Sequence, residues 1–108
     1  MATTTIDVKK IKDWQTFHAQ SAEAFGFPDF YGKNLNAWID CLSYLPDGDG
    51  MSSIVLGAEE QLTILLPSFE HFAKTQPEIC LVLLESFAVV NLRYIAEGQI
   101  PRLVLLPQ

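Results

Sequence analysis

The chain is poor in the residues that build covalent and metal-held folds. It has two cysteines and two histidines in 108 residues, and no CxxC pair. A disulfide framework and a zinc site are both disfavoured on that count. Cys41 and Cys80 stand in the apolar segments WIDCL and EICLVLL, where a free thiol behaves as a small hydrophobe. No uninterrupted apolar run reaches the ~18 residues of a membrane span, so no membrane is expected as a partner. The opening Met1-Ala2-Thr3-Thr4-Thr5 has neither the charged start nor the hydrophobic stretch of a signal peptide. A cytoplasmic location is the expectation. Catalytic signatures are missing too: there is no GxSxG, P-loop or GxGxxG. His18 and His71 stand apart from any Ser or Cys in a recognisable motif, so the chain is expected not to be an enzyme and to use no cofactor.

Positive charge is also scarce, and unevenly so. Against 13 Asp and Glu there are 7 Lys and Arg, a net charge of −6. Phosphate binders need a basic patch, so nucleic acid is disfavoured as a ligand. From Asn34 to Ala73 there is no Lys or Arg, while Asp40, Asp47, Asp49, Glu59, Glu60 and Glu70 all fall in that stretch. Such a run is a solubilising surface or a surface that speeds encounter with a basic partner.

What is present is a core. Apolar residues make up 49 % of the chain and charged ones 19 %, which argues against disorder and for one domain over 1–108. Thr4–Ile11 alternates as a strand does. Asp13 is a candidate cap for a helix carrying Trp14, Phe17 and Ser21, which Gly26 stops. A second helix is expected from Asn34 or Leu35 to Leu45, before the breaker run Pro46-Asp47-Gly48-Asp49-Gly50. Ser52–Leu56 reads as a short strand, and Leu62–Leu66 as a strand covered on both faces. A short helix with Phe69 and Phe72 inward follows Pro67. A long helix runs from Pro77 to about Glu97 with Gly98 closing it, then a last strand spans Leu103–Leu106. Strands joined by helical crossovers predict an α/β fold with a small parallel sheet. The DGDG run is a turn: an EF-hand loop counted from Asp47 needs Glu where Ala58 stands.

In the second helix Leu35, Trp38, Leu42 and Leu45 form one apolar stripe. Asn36, Asp40 and Ser43 fall on the opposite side at ~100° per residue. Asp40 has no Lys or Arg three or four places away, and aspartate suits a helix interior poorly. It is either an ordinary exposed residue or the anchor of a binding surface. Phe30 and Tyr31 either make contacts or staple the loop to the core. Gly32 serves a positive φ or a close approach; Asn34 is a cap or a contact.

The run FPDFYGKNLNAWIDCL resembles the signature of the barstar family, cytoplasmic inhibitors of ribonucleases. Phe30-Tyr31-Gly32, Asn34-Leu35-Asn36-Ala37 and Asp40-Cys41-Leu42 match its aromatic pair, Gly, Asn-Leu-Asp-Ala and Asp-Cys-Leu without a gap. The resemblance implies a three-stranded parallel sheet packed with helices. It also implies inhibition by the second helix and the loop before it, inserted into a basic nuclease cleft. Asp40 matches the residue that takes the place of a substrate phosphate, and Phe30 the aromatic that stacks on a nuclease histidine. Tyr31, Gly32, Asn34 and Leu35 align with the adjoining contact loop, with Asn36 and Ser43 beside Asp40 and Glu97 at the edge. Asn36 and Arg93 stand where acidic residues are found in the family, Trp38-Ile39 reverses an aliphatic–tryptophan order, and the 46–60 segment is longer. These departures imply a basic ribonuclease or nuclease toxin other than barnase, bound by a chain that is a monomer when free. The other reading is a barstar-like module whose partner is not a nuclease.

Overall fold

The structure, a computed structural model, describes residues 2–108. Three strands, β1 (Ala2–Thr5), β2 (Leu62–Leu66) and β3 (Leu103–Pro107), form a parallel sheet in the order β1-β2-β3. Four helices accompany it: α1 (Trp14–Phe25), α2 (Leu35–Leu42), α3 (Phe69–Thr75) and α4 (Pro77–Ala96). This is the α/β architecture that the strand–helix alternation predicts.

Local chemistry sets the helix ends. Asp13 accepts from Thr16 N at 2.8 Å while the Thr16 hydroxyl receives the Asp13 N–H, a reciprocal cap. Gly26 closes α1 at φ 63°, and a Cβ there would collide with the Ser53 side chain. Asn34 caps α2 by accepting from Ala37 N at 2.8 Å. Gly98 follows α4 at φ 79°.

Three expectations are corrected. The first strand stops at Thr5: Ile6 still donates to Leu65 O, but in this register its own carbonyl faces Pro67, which has no N–H, and accepts from Val8 N instead. Val8–Lys10 instead form a 3₁₀ turn that still buries Val8. Ser52–Leu56 is not a strand: its polar groups are spent on the end of α1, through the Ser52 hydroxyl on Phe25 O and Ser53 N on Gly26 O. The sheet is fully covered on one face only. Leu62, Ile64, Leu66 and Leu103 are buried, whereas Thr3, Thr5, Val104 and Leu106 on the other face are exposed. Helix α4 is long and apolar enough to cross a membrane by length and composition alone (20 residues, mean hydropathy 1.8), without an uninterrupted apolar run of that length. One side of it lies in the core, through Ile79, Leu83, Phe87, Val90 and Tyr94.

The core joins α1, α2 and α4 by their aromatic rings. Trp38 is fully buried, stacked on Phe17 at 6.1 Å and edge-on to Phe87 at 4.9 Å and Phe25 at 6.3 Å. Such pairs add ~1 kcal/mol each beyond the area they bury.

Helix α2 ends at Leu42, one turn before the expected Leu45. Pro46 explains this: it lies four residues after Leu42 and has no N–H to give to the Leu42 carbonyl. Tyr94 supplies the donor instead. Its hydroxyl donates to Leu42 O at 2.6 Å and accepts from Leu45 N at 3.1 Å. Burial pushes this phenol up to about 12, so it remains a donor at neutral pH. Tyr94→Phe leaves both backbone groups unpaired in the interior and is expected to cost ~1–3 kcal/mol in denaturant unfolding. A loss of no more than about 0.3 kcal/mol, well below that range's lower bound, contradicts the assignment.

Candidate functional site

The outer side of α2 carries Asn36 in its first turn and Asp40 in its last. Asn36 is exposed and Asp40 half-exposed. Helix α4 crosses beneath the C-terminal end of α2, because Tyr94 is bonded there, and this sets its neighbours beside Asp40. Arg93 Nη1 lies 2.9 Å from Asp40 Oδ1 and donates to Ser43 Oγ at 3.2 Å. Ser43 in turn donates to Ile39 O at 2.6 Å. Asp40, Ser43, Tyr44, Arg93, Ala96 and Glu97 line an open depression of about 450 Å³.

The pairing changes the electrostatic reading. Along the chain Asp40 has no cation within a helical turn; in space one arrives from 53 residues away. Both side chains are about half exposed (46 % and 50 %), so the pair is worth at most ~1 kcal/mol. A partner can open it, and Arg93 Nη2 and Nε have no acceptor among the described residues.

The second group of candidates sits at the other end of α2, one helix length (~12 Å for eight residues) away. Phe30 is 76 % exposed. Gly32 and Asn34 are exposed as well. Gly32 does not adopt a positive φ; Lys33 does, at 53°. A Cβ on Gly32 would meet Asn34 Nδ2 at 3.0 Å, a tight approach to the side chain that caps α2. Tyr31 and Leu35 turn inward instead. Tyr31 is buried and Leu35 half-buried against the core.

Tyr31 shows what holds this loop. Its hydroxyl bonds His18 Nδ1 on α1, and its ring packs 4.7 Å from Phe27. Burial drives the phenol pKa upward and the imidazole pKa downward, so the phenol donates and the neutral imidazole accepts. His18 is the supporting residue that sequence reasoning missed; its neighbours Phe17 and Ala19 gave no sign of a partner thirteen residues on.

The two thiols, Cys41 and Cys80, are free and buried. Burial pushes Cys41 up, with smaller contributions from Asp40 and Asp49. No cluster of three or more His, Cys, Asp or Glu that could hold a metal occurs among the described residues.

His18 gives this region a pH dependence. Its pKa is below 6.5 in the fold and near 6.5 in the unfolded chain, so protons bind the unfolded state more readily. Its contribution is complete above the unfolded value and is lost as pH falls through the folded one. The unfolding midpoint is expected to drop as pH falls from the unfolded value near 6.5 through the lowered folded one in the wild type, and less so in His18→Gln, which cannot titrate. Equal slopes in the two proteins contradict this.

Compared with known proteins, the chain matches the Barstar family model, described as "Barstar (barnase inhibitor)", over residues 1–106 of 108. No curated protein matches it. The chain belongs to the Barstar family.

Proposed function

We propose that this member of a family of barnase inhibitors inhibits a ribonuclease or related nuclease toxin by occluding its basic active-site cleft. Family members are inhibitors rather than enzymes and bind a ribonuclease. In this reading α2 and the loop before it enter the cleft. Asp40 stands in for a substrate phosphate, with Asn36 and Ser43 beside it and Glu97 at the rim. Phe30 stacks on a ring of the nuclease, while Tyr31, Gly32, Asn34 and Leu35 hold and complete the loop. The cytoplasm is the compartment in which such an inhibitor protects its own cell.

The observation that carries this reading is the outward carboxylate of Asp40 at the mouth of a depression shared with Glu97. Only its Oδ1 is engaged among the described residues, and by a solvent-exposed pair that costs little to open. Arg93 supports a target other than barnase, since it sets a cation where a purely basic cleft would meet an acid. The same pair favours the second reading, a binding module for a non-nuclease partner, because it lowers the negative charge of the face.

Titration of the purified protein into barnase and into other secreted basic ribonucleases, followed by RNA cleavage, tests both readings. Stoichiometric loss of activity in at least one is expected. Asp40→Ala should weaken that complex about 30-fold or more, the equivalent of the ~2 kcal/mol hot-spot threshold. Arg93→Ala should strengthen binding to a wholly cationic cleft by up to about fivefold, the worth of a surface pair. A native partner, recovered by affinity capture, that lacks nuclease activity would sink the inhibitor reading.

A further inference from the structure

Strand β3 is an edge of the sheet, and a side chain closes part of that edge. Backbone groups in a strand turn alternately to one side and the other. Leu62 N donates to Arg102 O and Gln108 N donates to Leu66 O, so the even-numbered residues of this segment face β2. Leu103, Leu105 and Pro107 therefore turn their backbone groups to the free edge. Two of the three positions are blocked. Asn91 of α4 accepts from Leu103 N through Oδ1 at 2.9 Å and donates to Leu103 O through Nδ2 at 3.0 Å. Pro107 has no N–H to offer. Only Leu105, between them, presents both groups, and neither has a partner among the described residues.

Asn91 does at Leu103 what a further strand would do. In an antiparallel pair, opposed residues exchange both N–H···O bonds, and the Asn91 amide, with a donor and an acceptor in one plane, reproduces that exchange. The edge has little else to guard it. No charged residue falls between Leu103 and Gln108. The register with β2 runs without a bulge, and Val104 and Leu106 stand exposed beside it. An apolar edge without lysine or bulge is a template for another chain's strand. Each copy also carries a second edge, β1, at the far side of the sheet. Pairing of β3 on the β1 of another copy is heterologous and does not close.

We propose that Asn91 is a plug for the β3 edge: its amide fills the place of a fourth strand and keeps copies of this chain from pairing edge to edge. The device is conformational and lies in the contact between α4 and β3, apart from the outer side of α2. It acts whatever partner α2 meets. A bond that served only to tie α4 to the sheet would not need both edge groups of one residue.

Sedimentation equilibrium from about 10 μM to 1 mM, spanning the weak end of protein association, compares the wild type with Asn91→Ala. The wild type is expected to stay at 12.1 kDa, and Asn91→Ala to rise to at least twice that mass. Adding Val104→Lys, which sets a lysine at an exposed edge position, should return Asn91→Ala to the monomer. Tyr94→Phe weakens the fold without touching the edge, and is expected to remain monomeric. In the wild type the Leu103 amide should exchange with deuterium at least about tenfold more slowly than the Leu105 amide, a difference of ~1.4 kcal/mol in opening. A monomeric Asn91→Ala, association that Val104→Lys leaves in place, or equal association of the wild type or Tyr94→Phe overturns the proposal. So does equal exchange at Leu103 and Leu105, a result that needs no variant to fold.

Discussion

The candidate site depends on one buried hydroxyl. Pro46 removes the N–H that would have carried α2 through another turn, and the Tyr94 hydroxyl takes over the orphaned Leu42 carbonyl and the Leu45 N–H. That contact ends α2 and fixes it to α4 in one step. Because Tyr94 points into the core, Arg93 beside it emerges next to Asp40, and Glu97, four residues after Arg93, reaches the same depression. Trp38, wedged among Phe17, Phe25 and Phe87, sets the roll of α2 so that Asp40 faces out. Packing beneath the helix thus decides what the helix displays above.

The second support lies at the other end of α2. The loop ahead of it is held by the Tyr31–His18 hydrogen bond and by the Tyr31 ring on Phe27, which frees Phe30 to stand in solvent. The exposed residues of this region are therefore few, and each is backed by a buried neighbour: Phe30 by Tyr31, Asp40 by Trp38 and Tyr94. Sites held in this way lose little conformational entropy on binding. The Arg93–Asp40 pair puts both signs of charge on this surface.

Much of this was legible in the sequence, and the failures share a cause. Asp13, Asn34 and Gly26 mark helix ends through bonds to residues three or four away, and Pro77 through its fixed φ; such signals are local. The apolar stripe of α2 located Trp38 and left Asp40 outside, as the structure has them. What could not be read were contacts between distant segments. Arg93 meeting Asp40, Tyr94 replacing the N–H that Pro46 lacks, and Ser52–Leu56 spending its polar groups on α1 all require the fold first. The apolar run Leu62–Leu66 does not say which neighbours cover it; Val104 and Leu106 across the sheet show that one face stays open.

The central claim is that the outer side of α2 and the 29–34 loop enter the nuclease cleft. Amide hydrogen exchange of this chain, free and in complex with a ribonuclease it inhibits, tests that most directly. The account predicts new protection concentrated in residues 29–43 and at the C-terminal end of α4. Protection confined to α3 or the open face of the sheet, with 29–43 unchanged, would contradict it.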